Sequence, residues 1–283
     1  MKCNPLRGTK PKPGHNEIRH RLDQAQSRLT CAREKPKRIK QLPNRIFDIH
    51  NHILWGVDDG SDSLAMSLRM LEQAQEAGTT DIILTPHNKP NRRNIYKSEM
   101  LEQIEELKKH MANKNIHINI YPGNEIYYRM DVAERLSIGK ASTMAGSRYV
   151  LLEYNPMDEW DYIRHGAEDM LSEGYIPIIA HVERYNQVMT KLERAQELKD
   201  KGCYLQINAS SLTGELGWGT KSLCKQLLKQ NLVSFVASDA HDDKKRVPDL
   251  DKAVKYIVKK YGEEAAEKIF STNPQKILAD TYL

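Results

Sequence analysis

The sequence lacks the features that would place it in a membrane, outside the cell or on a thiol mechanism. Nowhere in its 283 residues does a run approach the ~18 consecutive apolar residues of a membrane span. The basic N-terminus has no apolar core of the kind a secretory signal carries, so export is not expected. Only four cysteines occur, Cys3, Cys31, Cys203 and Cys224, and no two form a Cys-x-x-Cys pair. That argues against a disulfide scaffold and a cysteine-rich zinc site, and for a reducing, cytoplasmic location. No cysteine is followed six residues on by arginine, which excludes a cysteine-nucleophile phosphatase. There is no Gly-x-Ser-x-Gly elbow. The run Gly214–Ser222 fails as a phosphate loop because Thr220 separates Gly219 from Lys221.

What is present has an ordinary globular balance, 39% hydrophobic and 29% charged. The net charge of +5 divides unevenly. Residues 1–45 hold 13 Lys and Arg against Glu17, Asp23 and Glu34, a sum of +10, so the remaining 238 residues sum to −5. The chain therefore reads as a basic N-terminal extension, 1–45, before a mildly acidic main domain, 46–283, with no broad nucleic-acid-binding face expected on the latter. Within the extension, Ile18, Leu22, Ala25, Leu29 and Ala32 recur at helical spacing over 16–34, and Pro36 and Pro43 close the region. It is expected to be a partly helical or disordered arm, either a bare extension or a docking element for a partner chain or an anionic surface.

From Ile46 onward short apolar runs alternate with helical patterns. Seven strands are expected, at 46–49, 81–85, 116–121, 149–152, 176–180, 204–207 and 233–237. Between the first two, Ser61 to Ser63 offer helix caps, Leu64, Leu68, Leu71 and Ala74 line one face, and Gly78 ends the helix. A second helix is expected over 97–113 on Leu101, Ile104, Leu107 and Met111. Alternating strands and helices indicate a parallel α/β fold, and seven strands suit a distorted (β/α)7 TIM-like barrel at least as well as an open sheet.

Polar residues sit at the C-terminal strand ends, which in a parallel barrel converge on one mouth. Strand one runs into Asp48-Ile49-His50-Asn51-His52, strand two into Thr85-Pro86-His87, and strand three into Gly123-Asn124-Glu125. Strands four to seven end at Glu153, His181, Asn208 and Ser238-Asp239-Ala240-His241. His50 and His52, like Asp239 and His241, have alternate-residue spacing that puts both side chains on one side of an extended chain. Singly, each histidine reads as an ordinary structural side chain; the set reads as a metal site. The candidates are His50, His52, Asp58, His87, Glu125, Glu153, His181, Asp239 and His241, with Asp59 competing with Asp58. Nine ligands are too many for one ion, so two or three divalent ions are expected, with Mn, Fe and Zn all suited to imidazole and carboxylate. Four carboxylates and three divalent ions leave +2, which a phosphate monoester dianion, or a hydroxide plus a monoanion, matches. Arg184 and Arg246 follow the site closely and suit phosphate oxygens, although Arg184 could instead pair with Glu183 or another carboxylate. His15, His20, His110, His117 and His165 fall outside the pattern and read as surface or structural.

The segments FDIHNHILWGVDDGSDS, ILTPHN, GNEIYY, YVLLEYN, PIIAHVERY, GCYLQIN, VASDAHDDKKRVPD and FSTNPQKILAD occur in this order over residues 46–280. Together they resemble the polymerase-and-histidinol-phosphatase (PHP) superfamily, and within it the manganese-dependent bacterial protein tyrosine phosphatases that regulate capsule and exopolysaccharide synthesis. The resemblance implies a distorted barrel of seven β/α units with a trinuclear centre. His50, His52 and Asp239 would share one ion, with Glu125 bridging to a second that Glu153 and His181 complete. Asp58, His87 and His241 would hold the third. Arg184 and Arg246 would contact phosphate. The implied substrate is a phosphotyrosine protein, such as a cytoplasmic tyrosine kinase. Two departures stand out: the basic extension lies outside the resemblance, and Asn88 follows His87 where many of the wider superfamily have a second histidine.

The expected reaction is attack on phosphorus by a hydroxide bridging two ions, with Arg184 and Arg246 on the remaining oxygens and manganese the foremost metal. His241 or Asp58 is the candidate proton donor. Histidinol phosphate or another small phosphomonoester is the alternative substrate. A non-catalytic regulatory module and a nuclease are disfavoured by the intact ligand set and the acidic main domain.

Overall fold

The computed structural model of the protein describes residues 41–90 and 92–283. The expected helix over 16–34, and the arm apart from residues 41–45, lie outside the described residues. All seven expected strands form: β1 (Phe47–Asp48), β2 (Asp81–Leu84), β4 (Asn119–Pro122), β6 (Tyr149–Glu153), β7 (Ile176–Ile179), β8 (Tyr204–Asn208) and β9 (Val233–Ala237). Two short strands were not expected, β3 (His87–Asn88) and β5 (Glu125–Tyr127). Each resumes a ladder just after an interruption, Thr85-Pro86 before β3 and Gly123-Asn124 before β5, and each begins on a candidate ligand.

Every strand pair is parallel. The hydrogen bonds organise the strands as a three-stranded sheet, β1-β2-β4, and a six-stranded sheet, β3-β5-β6-β7-β8-β9, rather than one continuous closed ring. Beyond the ends of β1 and β9 the two sheets touch again through a parallel bridge of Asn51 with Ala240. Strands β2, β7 and β9 are buried on both faces, as their apolar runs require. The period-two alternation sorts the side chains. Phe47, Ile83, Tyr149, Leu151, Ile176, Ile178, Phe235 and Ala237 share one interior cluster drawn from both sheets. Their neighbours Ile82, Leu84, Val150, Leu152, Ile179 and Val236 face outward into two clusters under the helices.

The helix α1 (Leu64–Glu76) starts as expected, with the Ser63 hydroxyl accepting from Met66 N, and buries Leu68, Leu71 and Ala74. Gly78, at φ +88°, turns the chain after it. The helix α2 (Lys97–Asn113) forms over the expected range, but its buried face runs Met100, Ile104, Leu107 and Met111. Leu101, expected in that stripe, is 42% exposed. Met100 keeps the 4-3-4 spacing and points inward in its place. Among the described residues no helix is long and apolar enough to cross a membrane.

Candidate metal centre

Beyond β1 the chain stays extended and is held to the segment after β9: His52 N donates to Ala240 O and Asp239 N to His50 O, both at 2.8 Å. That lock brings the two alternate-residue pairs, His50/His52 and Asp239/His241, against each other. Buried Asp48 ties the same ends together, accepting from Ser238 N and from the Ser238 hydroxyl at 2.5 Å. The β3–β5 ladder sets His87 directly opposite Glu125. Two residues beyond β7 and β9 the chain takes left-handed conformations, His181 at φ +32° and Asp239 at φ +53°. Such backbone costs a non-glycine residue about 1–2 kcal/mol, and here it turns both side chains sharply toward the centre.

Glu125 is the hub. Its Oε1 lies 3.2 Å from His50 Nε2 and 2.8 Å from His181 Nε2, and its Oε2 lies 3.4 Å from His52 Nε2 and 2.7 Å from His87 Nδ1. Asp239 Oδ1 is 3.6 Å from His50 Nε2 and 3.5 Å from His52 Nε2. Glu153 Oε2 is 3.6 Å from His87 Nδ1, and Glu153 Oε1 is 4.0 Å from His181 Nε2. Three histidines are oriented alike by their second nitrogen. His50 Nδ1 donates to Gln206 Oε1, His52 Nδ1 to Asp58 Oδ2 and His241 Nδ1 to the Asp239 carbonyl, so each turns Nε2 to the centre.

Sequence reasoning missed Gln206. Its Oε1 also accepts from His181 N at 2.7 Å, and its Nε2 donates to Asn208 Oδ1, whose own Nδ2 donates to Asp239 Oδ2 at 2.8 Å. The signal was available: Gln206 and Asn208 are polar at alternate positions of an otherwise apolar strand. Lys89 was missed as well; its Nζ lies against His87 and Glu153.

The placement of Asp58 corrects an expectation. Its oxygens are taken up by His52 Nδ1 at 2.6 Å, His87 N at 2.9 Å and Gly60 N at 3.0 Å. It is the neighbouring Asp59 whose Oδ1 faces His87 Nε2 at 3.4 Å and His241 Nε2 at 3.9 Å. Gly60 makes this turn possible, since a Cβ there would meet the His52 carbonyl oxygen at 2.2 Å. Burial opposes ionisation of Asp58, but the His52 hydrogen bond and charge outweigh it and bring its pKa to about 2. Burial, aided by the charge of His52, pushes His241 down to about 3. For His50, burial opposes protonation, but Glu125 and Asp239 outweigh it and lift the pKa to about 9. Burial likewise works against the charged forms of Glu125 and Asp239, yet the facing histidines hold both well below the usual carboxylate range.

Arg184 and Arg246 meet at one point. Arg184 Nη1 is 3.4 Å and Arg246 Nη2 2.8 Å from Asp239 Oδ2, with both side chains nearly half exposed at the mouth. Glu183 is not Arg184's partner; it accepts from Asn208 N instead. Beside the arginines opens a cavity of about 400 Å³, lined further by Ala209, Thr213, Leu216 and Val247. Of the histidines outside the pattern, His117 and His165 are exposed and His110 is partly so, and His15 and His20 lie outside the described residues.

Whether this donor set suits metal is tested by what it leaves unpaired. Among the described residues, His50 Nε2, His52 Nε2, His87 Nδ1, His181 Nδ1, Glu125 Oε2 and Glu153 Oε2 are buried without a hydrogen-bond partner. Orphaned buried polar atoms cost about 1–3 kcal/mol each, and those of His50, His52, His87 and Glu125, gathered in one cluster of carboxylate and imidazole, call for cations. Three groups offer atoms within 4.8 Å of one another: His50, His52 and Glu125; His87, Glu125 and Glu153; and His52, Asp59, His87 and His241. The residues fit divalent ions.

The chain also matches known proteins. Residues 46–279 match the family described as capsular polysaccharide synthesis, CpsB/CapC. A tyrosine-protein phosphatase CpsB of Streptococcus agalactiae serotype III (strain NEM316) is 33% identical over 246 residues, covering 84% of this chain and all of the relative. The tyrosine-protein phosphatase YwqE of Bacillus subtilis (strain 168) is 33% identical over 226 residues, 77% of this chain and 86% of its own. Among solved structures, one from a study of YwqE from Bacillus subtilis and CpsB from Streptococcus pneumoniae, described as unique metal-dependent tyrosine phosphatases, superposes with a TM-score of 0.79. It is 30% identical and covers 84% of this chain and 96% of that one. The chain belongs to the CpsB/CapC capsular polysaccharide synthesis family.

Proposed function

We propose that this chain is a metal-dependent phosphatase that hydrolyses phosphotyrosine on proteins. Two or three divalent ions, manganese foremost, occupy the centre. His50, His52, Glu125 and Asp239 hold one, Glu125, Glu153 and His181 a second, and Asp59, His87 and His241 a third. Asp59 replaces Asp58, whose part is to orient His52. The observation that carries the reading is the set of unpaired, buried atoms of His50, His52, His87 and Glu125, residues whose ligand atoms gather at one mouth.

Bound ions would supply Lewis-acid charge at phosphorus and a water acidified toward neutral pH. The chain's own groups do the rest. Arg184 and Arg246, which reach the same point over Asp239, hold the oxygens of a phosphate dianion in their forks. The adjoining cavity accepts the aryl ring and its neighbouring residues against Leu216 and Val247. A tyrosyl leaving group, with a phenol pKa of about 10, departs with little need of a proton.

The family's tie to capsular polysaccharide synthesis supports a wider reading. The substrate is a cytoplasmic tyrosine kinase that controls capsule or exopolysaccharide synthesis. Residues 46–283 form the phosphatase domain, as a distorted barrel of seven β/α units; the interior cluster shared by both sheets and the Asn51–Ala240 bridge support this. The basic stretch 1–45 precedes it as an arm for a partner or an anionic surface. Purified full-length protein loaded with manganese should release phosphate from a phosphotyrosine peptide, lose the activity in chelator, and prefer that peptide to histidinol phosphate in direct competition. A protein with full metal content that leaves the peptide intact overturns the reading.

A further inference from the structure

A third alternate-residue pair stands at this mouth beside His50/His52 and Asp239/His241. It is His87 and Lys89, with a fixed cation in place of a second ligand. Lys89 directly follows the two-residue strand β3, so its side chain leaves on the same side as that of His87. The ammonium is fully engaged: Lys89 Nζ lies 3.0 Å from Glu153 Oε2, 3.3 Å from Glu153 Oε1 and 3.2 Å from His87 Nε2. The contacts with Glu153 Oε1 and His87 Nε2 are hydrogen bonds, and the approach to Glu153 Oε2 is an ion pair. The segment carrying it is clasped to itself. Lys89 N donates to Asn94 Oδ1 and Asn94 Nδ2 returns to Lys89 O, both at 2.8 Å. Lys89 is only 26% exposed and its partners Glu153 and His87 less, at 15% and 12%.

We propose that Lys89 is a tethered cation that occupies part of the metal centre when ions are absent and must be expelled for the ions at His87 and Glu153 to bind. The inference rests on the metal-centre reading above. An ion bound to a carboxylate oxygen or an imidazole nitrogen sits roughly 2.0–2.2 Å from it. An ammonium 3.0–3.3 Å from the same atoms lies in the same space. The two cations cannot both hold Glu153 and His87, because each takes the same lone pairs and they repel one another. In the metal-free protein Lys89 therefore offsets the carboxylate charge of Glu153. In the loaded protein its charge stands next to the ions with that partner taken.

The consequence is a reversal of sign that an ordinary ion pair does not give. Lys89→Met lowers the melting temperature of the metal-free protein, because Glu153 loses its counter-charge. The same variant raises the melting temperature of the manganese-saturated protein. A merely structural salt bridge would destabilise both forms.

The experiment uses the full chain stripped with chelator, titrated with manganese alone. Free ion is followed by electron paramagnetic resonance, and thermal unfolding is read in both states. Lys89→Met is expected to bind at least one equivalent about tenfold more tightly than the natural protein. The sites formed by His50, His52 and Asp239 should be unchanged, and Lys89→Arg should keep the weaker affinity. Circular dichroism reports whether each variant is folded, and the arginine variant preserves the test if the methionine variant is not: it must then match the natural protein in affinity and in the order of both melting temperatures, and a tighter-binding arginine variant overturns the proposal. Equal affinity in Lys89→Met and the natural protein, weaker binding in Lys89→Met, or a lower melting temperature in both states also overturns it while leaving the metal centre standing. A natural protein that takes up no manganese overturns both.

Discussion

Gln206 tests the support of the centre without touching a ligand. Its Oε1 is the acceptor for both His50 Nδ1, at 3.0 Å, and His181 N, at 2.7 Å, and the residue is fully buried. Gln206→Leu preserves volume and leaves two buried donors without acceptors. At about 1–3 kcal/mol each, the loss is about 2–6 kcal/mol of stability in the metal-free protein. A domain of this size loses about 2–4 °C per kcal/mol, so the melting temperature should fall by roughly 4–24 °C. His50 also loses what fixes its ring, and an orienting partner of this kind is worth about 10–100-fold in metal affinity. Calorimetric melting and manganese titration on the same sample read both numbers. A variant that melts within 2 °C of the natural protein, with manganese affinity within threefold, would refute the assigned hydrogen bonds and the orientation of His50 together.

Three other outcomes follow from the site. Asp59→Asn should remove about one equivalent of bound ion, whereas Asp58→Asn should keep the stoichiometry and weaken affinity by about 10–100-fold; elemental analysis after dialysis separates them, and the reverse pattern returns Asp58 to the ligand set. Gly60→Ala drives a methyl into the His52 carbonyl, so it should lower both the melting temperature and manganese binding; equal values in variant and parent contradict the close approach. The pKa of His50, about 9, lies above its ordinary 6.5, so its stabilising effect is full below pH 6.5 and fades as pH rises through 9. The metal-free protein should lose stability across that window and the loaded protein much less. Ion uptake near pH 7 should release protons, with affinity rising toward pH 9. Titration calorimetry in buffers of different ionisation enthalpy reads the proton count, and zero release would contradict the protonated His50.

The seven main strands were legible because buried parallel strands are near-continuous apolar runs; β7 is one throughout, and β2 and β9 are broken only by Asp81 and Ser234. The strands β3 and β5 were not, because Pro86 and Gly123 sit where a strand pattern is expected to stop, and pairing resumes only through partners far along the chain. Met100 and Leu101 are adjacent, and near a helix start the period alone does not choose between them. The His, Asp and Glu set was legible as a set, since alternate spacing at strand ends fixes which way side chains point. Between Asp58 and Asp59 the sequence offers no such rule, and the choice is made by contacts with His52, His87 and Gly60. Gln206 and Lys89 escaped notice because neither is a usual metal ligand; their roles exist only once the strands bring distant residues within 3 Å or so.

The most direct measurement is anomalous diffraction at the manganese edge from crystals of the loaded protein. The account predicts two or three peaks around Glu125, one near His50 and His52, one near Glu153 and His181, and a third, if present, near Asp59 and His241. Crystals grown in manganese that show no anomalous peak within reach of Glu125 would contradict it.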